Sequence, residues 1–351
     1  MFNRQTLFII GAGASVEVGM PLGAELASTI GKKMDIRFEM GGTKHIGSGD
    51  LDLFSHFRHS FRAEAREYQH VAWLIRDGIK LSQSIDDFLD LHRANEPLNR
   101  YGKAAIVKAV MEAERRSKLY FGGSSGVDTF KPDNVSDTWL VKFMHALARG
   151  IPKENAREVF DKVAFIIFNY DRCVEHFLLH SLQKLYGISE QEASDILSDL
   201  RVIHPYGIIG DLDTMTSPGG VPFGGGDRVS ANYIDLSNRI KTYTEQLGAG
   251  ELLTKLEDEM RRAECLIFLG FAYHSQNMRL LRPAKAMPHK LVFGTAYKMS
   301  DSDRDVVSHQ ISEFFTPNMT TKMRLDIIRL ENKLTSADLF DNYAKSLTGG
   351  D

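Results

Sequence analysis

Six short apolar segments occur along the chain, and each of them predicts a buried β-strand. They are rich in Ile, Val, Leu and Phe and are bounded by Gly, Asn, Asp or Pro, a pattern typical of strands inside a sheet. The segments are Thr6–Ile10, Val163–Phe168, Arg201–His204, Leu266–Gly270, Lys290–Phe293 and Leu325–Arg329. Because their apolar residues are continuous rather than alternating with polar ones, they predict a parallel sheet that is covered on both faces.

Helical stretches separate most of these segments. Val174–Leu185 and Glu251–Arg262 are examples, each following one predicted strand and preceding another. Alternation of strands and helices is typical of α/β proteins. We therefore predict an α/β fold with a Rossmann-type parallel sheet of about six strands.

The interval between the first two predicted strands is far longer than a crossover connection requires. From about residue 31 to 158 the pattern is helical and charged, as in Glu64–Leu81 and Ala104–Leu119, and we predict no strand there. Since a crossover needs only about a dozen residues, this interval predicts a large helical insertion after the first strand-helix unit. Gly41–Gly49 and Gly122–Gly126 within it are expected to form mobile loops. The predicted units are residues 1–30 and 159–330 as the Rossmann-like domain, 31–158 as the insertion and 331–351 as a C-terminal helical tail.

Composition argues against a dedicated nucleic-acid binder, a disulfide-rich protein and a membrane protein. The 351 residues include 43 Lys and Arg against 46 Asp and Glu, which gives a formal charge of −3. This balance lacks the overall basic field of a dedicated nucleic-acid binder. The two cysteines, Cys173 and Cys265, cannot form a disulfide framework or a four-cysteine zinc site. Apolar runs such as Val163–Phe168 are too short to cross a bilayer, so we expect a cytoplasmic protein with no membrane association.

A glycine-rich turn after the first predicted strand is the strongest local signal. The run Gly11–Ser15 is followed by Gly19, and a helix is expected to begin near Leu22. Glycines permit positive φ and close backbone approach, and a helix N-terminus offers N–H groups to a pyrophosphate. However, Val16 occupies the place of the third glycine of the dehydrogenase fingerprint. The loop thus favours a dinucleotide but argues against hydride transfer, and a tight turn without a ligand is the alternative.

Polar groups follow three of the other predicted strands. Asn169 and Asp171 follow the second strand, His204 ends the third, and Gly270–His274 follows the fourth. Each has a structural explanation by itself, since Asp171 is placed to cap a helix and a single histidine is more often structural. Ligands of open α/β sheets bind beyond the carboxyl ends of the strands. The joint placement of these groups therefore indicates a site.

Taken in order, these motifs resemble the sirtuin-like family, and in particular its bacterial antiphage-defence branch. The resemblance covers most of the chain, from residue 7 to residue 295. The matching residues are Gly11-Ala12-Gly13-Ala14-Ser15 with Gly19-Met20-Pro21, Asn169-Tyr170-Asp171 followed by Glu175, and His204 with Gly207, with weaker matches at Ser84–Leu89, Gly270-Phe271 and Phe293-Gly294-Thr295.

The resemblance implies a role for each matching position. Asn169 would orient the nicotinamide ribose of NAD or an attacking water, Asp171 would contact the nicotinamide carboxamide, and His204 would be the general base. The remaining positions would bind the dinucleotide, the first four at its pyrophosphate and the last two near its adenosine: Gly11, Ala12, Gly13, Ser15, Gly270, Phe271, Gly294 and Thr295.

One departure from the family pattern indicates which reaction to expect. Deacetylating sirtuins carry four zinc-binding cysteines, which this chain does not contain. The resemblance therefore implies a metal-free NAD hydrolase that takes NAD as its substrate. It also implies a homo-oligomeric effector of antiphage defence that is activated by a partner, such as a HerA-like ATPase or an Argonaute-like protein. The insertion and the residues after Leu330 are candidate docking surfaces. An NAD or ADP-ribose sensor and an ADP-ribosyltransferase are the alternatives.

Overall fold

A six-stranded parallel sheet forms the centre of the protein. The computed structural model describes residues 1–39, 46–122, 129–226, 233–248, 250–316, 320, 323 and 326–350. The strands are β1 (Thr6–Ile10), β2 (Arg37–Glu39), β3 (Ile46–Ser48), β4 (Val163–Ile167), β5 (Arg201–Ile203), β6 (Cys265–Leu269), β7 (Leu291–Thr295) and β8 (Ile328–Glu331). The large sheet has the order β5-β4-β1-β6-β7-β8, with every pair parallel. This is the order 3-2-1-4-5-6 of a Rossmann-type sheet, whose switch point lies between β1 and β6.

Helices cover the sheet and fill the long interval between β1 and β4. The helices are α1 (Ala12–Ser15), α2 (Gly23–Lys33), α3 (Leu51–Ser60), α4 (Ala65–Gly78), α5 (Ile85–Leu91), α6 (Glu96–Arg116), α7 (Trp139–Leu147), α8 (Cys173–Tyr186), α9 (Glu190–Ser198), α10 (Tyr233–Ser237), α11 (Tyr243–Leu247), α12 (Gly250–Arg262), α13 (Ser275–Leu281), α14 (Asp301–Ser312) and α15 (Ser336–Thr348).

All six strands expected from the apolar segments are present, with bounds that differ by a few residues. Every residue of β1, β4 and β6 is buried, as expected for strands covered on both faces. The α/β class and the Rossmann-type sheet are therefore confirmed. The large helical interval after the first strand-helix unit is present as well.

The expectation that residues 31–158 contain no strand was wrong. Strands β2 and β3 form a two-stranded antiparallel sheet in which Phe38 lies opposite Gly47. Each strand has only three residues, so neither carries a periodic apolar pattern that sequence reasoning can detect. Part of the loop expected at Gly41–Gly49 is thus strand β3. Residues 40–45, and most of the second expected loop at 123–128, lie outside the described residues.

The longest insertion helix, α6, begins at a capping residue that is visible in the sequence. The side chain of Asn95 accepts a hydrogen bond from the backbone N–H of Leu98 at 3.0 Å, which caps the first turn. The helix has 21 residues and buries several charged groups. Lys108, for example, is 2.7 Å from a carboxylate oxygen of Asp50. A buried cation needs such a partner, because an unpaired charge away from water is costly.

The insertion and the C-terminal tail share the core of the sheet. The ring of Phe143 from α7 lies 5.1 Å from that of Phe8 on β1, and Phe340 from α15 stacks on Phe8 at 6.4 Å. Leu339 and Leu347 of α15 are also buried. Burial of each such side chain stabilises the fold by about 1.5–3 kcal/mol. The apolar face of the tail is therefore used within the chain.

Candidate functional site

The glycine loop after β1 packs against the loop after β6 at the switch point of the sheet. The N–H of Gly11 donates to the carbonyl of Leu269, and that of Gly13 donates to the carbonyl of Gly270, both at 3.0 Å. A Cβ atom on Gly11 would lie 2.6 Å from the Gly270 carbonyl oxygen. A Cβ atom on Gly13 would lie 2.8 Å from the Gly270 Cα. These two glycines are thus required by the contact between the loops.

The expected positive φ is found at Gly19 of the glycine loop but not at Gly11 or Gly13. Gly11 has φ −118° and Gly13 lies within the short helix α1, so neither needs the left-handed region. Positive φ occurs instead at Gly19, with φ +91°, and at Gly270, with φ +56°. The helix expected near Leu22 is present as α2, which begins at Gly23. The N-terminus nearest to β1, however, is that of the four-residue helix α1.

Gly13→Ala is expected to lower the free energy of unfolding by about 1–3 kcal/mol, because the added methyl group overpacks the contact with Gly270. Urea-induced unfolding measures this loss. Gly23→Ala is the matched control, since a Cβ there meets no atom within 4 Å, and its stability should be unchanged or slightly higher. Equal stability of the two variants would show that the loops separate readily.

Three buried polar side chains join the carboxyl ends of β1 and β4. The Asn169 amide nitrogen donates to the Ser15 hydroxyl at 3.0 Å. That hydroxyl donates to Asp171 Oδ1 at 3.3 Å. Their exposed fractions are 8%, 5% and 7%, respectively. The structure thus brings Ser15 into contact with Asn169 and Asp171, which lie 154 and 156 positions after it in the chain.

Asp171 also bonds the start of the helix that follows β4. Its Oδ1 accepts a hydrogen bond from the backbone N–H of Cys173, the first residue of α8, at 3.2 Å. The N-cap of α8 is Arg172, whose side chain makes no capping bond, so Asp171 is not the N-cap residue that its position suggested, and its carboxylate is shared between Cys173 and Ser15. Burial raises the pKa of the Asp171 carboxyl. Burial also raises the pKa of the Cys173 thiol well above its ordinary value, which makes the thiol a poor nucleophile.

His204, directly after β5, is held by oxygen atoms on both sides of its ring. Its Nε2 lies 2.6 Å from Glu175 Oε1, and its Nδ1 lies 3.4 Å from the Asn169 carbonyl oxygen. Burial alone would lower the pKa of His204, but the charge and hydrogen bond of Glu175 outweigh it, and the pKa is raised above 6.5.

Glu175 is a site residue whose role the sequence did not reveal. It matched the family motif, but only the fold shows that the first turn of α8 carries it to His204. Its Oε1 contacts the ring, whereas Oε2 is buried and has no hydrogen-bond partner among the described residues. A buried polar atom without a hydrogen bond costs free energy. Glu175 Oε2 is therefore an acceptor that a ligand or a water could use.

The expected cofactor-binding residues beyond the glycine loop, of which Gly294 and Thr295 were expected near the adenosine of NAD, lie in or around the loop after β6. The Thr295 hydroxyl accepts a hydrogen bond from the Gly270 N–H at 2.8 Å. Phe271 is buried, with its ring 5.1 Å from that of Phe168. A Cβ on Gly294, within β7, would lie 2.7 Å from the Tyr273 hydroxyl oxygen. Phe271 and Gly294 thus serve internal packing, while Thr295 orients the loop.

The insertion contributes a carboxylate beside the Asn169–Asp171 turn. Tyr170 donates its hydroxyl to Asp86 on α5. Burial raises the pKa of Asp86 to about 6, so that it titrates near neutral pH. Tyr206, two residues after His204, donates to Asn277 Oδ1 on α13 at 2.6 Å. Asp86 belongs to the weaker Ser84–Leu89 match, and its place at the site depends on contacts that only the fold creates.

A buried ion pair between Arg172 and Glu114 connects helix α6 and the loop after β5 to the segment that carries Asn169 and Asp171. Arg172 and Glu114 have 1% and 0% side-chain exposure, and Arg172 Nη2 lies 2.6 Å from Glu114 Oε2. Arg172 also donates to the carbonyls of Gly210 and Val221, at 3.3 and 2.6 Å. Glu114 accepts the N–H of Gly224 at 2.9 Å. The pair thereby ties insertion helix α6 and the loop after β5 to the residue that follows Asp171.

Two cavities are found outside the cluster at the strand ends. One of about 610 Å³ is lined by polar residues of α5 and its C-terminal side, including Asp87 and Arg93, and by Gln276. The other, of about 590 Å³, lies between α7 and α8. Neither is lined by Ser15, Asn169, Asp171 or His204.

Among the described residues, no group of three or more His, Cys, Asp or Glu side chains could hold a metal ion. In the same part of the chain, no helix is both long and apolar enough to cross a membrane. A scan of the chain against models of known families and a search of curated proteins found no match. The case for function therefore depends on the residues at the strand ends.

Proposed function

We propose that the protein is an NAD hydrolase that cleaves the nicotinamide–ribose bond to give ADP-ribose and nicotinamide. One observation carries the proposal: Ser15, Asn169, Asp171 and His204 converge at the carboxyl ends of β1, β4 and β5. This is the edge at which Rossmann-type sheets bind dinucleotides. The same residues are those that the sirtuin-like resemblance selects from the sequence.

Cleavage of this bond requires stabilised positive charge and a positioned water. The ribose carbon becomes oxocarbenium-like in the transition state, as in glycoside hydrolysis. Nicotinamide leaves as a neutral molecule, so no strong general acid is needed. The neutral amide of Asn169 can hold a water without competing with it as a charge, and the carboxylate of Glu175 can stabilise nearby positive charge.

His204 would act in its neutral form. Oxygen atoms at both ring nitrogens favour the protonated imidazolium, which can neither accept a proton nor favour a cationic transition state. Deprotonation frees a ring nitrogen to accept the proton of the attacking water. Turnover should therefore increase as the pH rises through the raised pKa of His204.

Glu175→Gln is expected to move the acidic limb of the kcat/KM profile for NAD to lower pH. The substitution removes the charge that raises the pKa of His204 and leaves burial, which lowers it. Initial rates across a pH series measure the shift. Glu190→Gln, an exposed position on α9, is the matched control and should leave the profile in place. An unshifted profile for Glu175→Gln would remove His204 from the pH dependence.

Product analysis tests the reaction itself. Purified protein is incubated with NAD, and the products are separated by chromatography. We expect ADP-ribose and nicotinamide from the wild type and intact NAD from Asn169→Ala. Nicotinamide release with ADP-ribose attached to protein would favour the transferase. Binding of NAD by calorimetry without turnover would favour the sensor.

The resemblance also supports a wider role. We extend the proposal to an effector that depletes cytoplasmic NAD during antiphage defence, acts as a homo-oligomer and is activated by a HerA-like ATPase or an Argonaute-like protein. The product analysis repeated with the protein of the neighbouring gene tests this role. Faster NAD loss with the partner is expected, and equal rates in its absence would argue against partner control.

A further inference from the structure

An apolar groove lies between α7 and α8, and Glu175 is not among the residues that line it. Its volume is about 590 Å³, and its apolar lining includes Val141, Met144 and Ala148 from the α7 side and Phe177, Leu185 and Tyr186 from α8. Small-molecule sites have volumes of about 300–1,000 Å³, mostly apolar walls and a few polar groups that orient the ligand. The groove has the size and lining of such a site.

Basic residues occupy the rim of this α7–α8 groove. His145, Arg149 and Lys184 line it and are exposed, and none of the described lining residues is acidic. In the part of the chain that the structure describes, neither Arg149 nor Lys184 lies within 4 Å of a carboxylate. Most of the buried cations of this chain, such as Arg172, have a carboxylate partner. The rim therefore presents positive charge that the chain itself does not neutralise.

The adjacent helix ends do not cancel this charge. Helices α7 and α8 end at Leu147 and Tyr186, and each C-terminus carries about −0.5 of an elementary charge. Arg149 and Lys184 together contribute two full positive charges. The local balance is thus about +1, and it favours an anionic group beside an apolar lining.

We propose that the α7–α8 groove binds a small amphiphile with an apolar body and one anionic head group. The body lies against the apolar lining that includes Met144 and Phe177, and the head group lies between Arg149 and Lys184. This site is separate from the strand ends, so it stands whether or not the protein hydrolyses NAD.

Matched ligands test the proposal on the wild-type chain. Decanoate, hexanoate, 1-decanol and decylammonium are titrated by calorimetry below the concentrations at which they aggregate. Decanoate should bind at one site and more tightly than hexanoate, because the longer chain buries more apolar surface. Decanol should bind more weakly, and decylammonium most weakly. Absence of decanoate binding, or equal affinities for the three ten-carbon ligands, would overturn the proposal.

Charge reversal locates the site. Arg149→Glu combined with Lys184→Glu should weaken decanoate binding about tenfold, since two attractions of exposed charges become repulsions. Arg58→Glu combined with Lys80→Glu makes the same change in net charge at exposed positions elsewhere and should leave the affinity unchanged. Equal loss in both double variants, or loss in neither, would place the ligand outside the groove. Circular dichroism of each variant checks its fold.

Discussion

A His204→Ala variant is expected to hydrolyse NAD about 10²- to 10⁴-fold more slowly than the wild type, the range lost when a general base is removed. The Nδ1 of His204 lies 3.4 Å from the Asn169 carbonyl oxygen at the strand ends, and the ring is oriented by Glu175. Removal of the ring leaves the water without a proton acceptor. Initial rates at saturating and limiting NAD measure kcat and kcat/KM separately, and the loss should occur in kcat.

His309→Ala is the matched control for this variant. His309 is exposed on α14, where its only ion pair among the described residues is with Glu313 at 3.6 Å, so its removal should leave turnover intact. Thermal unfolding should show that His204→Ala retains its fold. Full turnover in a folded His204→Ala protein would exclude His204 from the catalytic residues.

Arg172→Ala is expected to lower the free energy of unfolding by about 3–5 kcal/mol, because it leaves the Glu114 carboxylate buried without a countercharge. Arg172 is 1% exposed and Glu114 is fully buried. The carbonyls of Gly210 and Val221 would lose their donors as well. Urea-induced unfolding, monitored by circular dichroism, measures the loss.

Arg116→Ala on the same helix as Glu114 provides the comparison. Its side chain is 65% exposed and lies 3.8 Å from the Glu112 carboxylate, so the change should be within about 0.5 kcal/mol of zero. A loss for Arg172→Ala no larger than that for Arg116→Ala would show that water replaces the guanidinium. In that case the Arg172–Glu114 ion pair would not be what holds the loop after β5 in place.

The central strands β1, β4 and β6 could be predicted from the sequence because each is buried along its whole length and consists almost wholly of apolar residues. The outer strands β5 and β8 are only partly buried, but their apolar residues still predicted a strand near each position. The hairpin of β2 and β3 could not be predicted, since three-residue strands such as Arg37–Glu39 mix polar and apolar positions without a period. Local sequence thus specified the buried elements and not the short exposed ones.

The site could be predicted in part for the same reason. Asn169 and Asp171 follow β4 and His204 follows β5, so their meeting at one edge follows from the parallel order of the sheet. Glu114 and Asp86 lie in the insertion and reach the Asn169–Arg172 segment through tertiary contacts. A charged residue on an amphipathic helix normally faces solvent, and nothing local marks Glu114 as buried.

The positions of Gly11 and Gly13 have an explanation other than the expected dinucleotide contact. Gly11 and Gly13 were expected to approach a pyrophosphate, whereas a Cβ on either would first meet the backbone of Gly270. Packing of the loops therefore accounts for both glycines. The dinucleotide assignment then depends on Ser15 and the polar residues that it contacts.

A structure of the His204→Ala variant crystallised with NAD tests the proposed site most directly. We expect the nicotinamide ribose beside Asn169, with the pyrophosphate over residues 12–15 and the Ser15–Asp171 hydrogen bond exchanged for bonds to the ligand. NAD bound elsewhere, for example in the cavity beside Asp87 and Gln276, would contradict the proposal, as would a crystal grown at saturating NAD with the Ser15–Asn169–Asp171 chain intact.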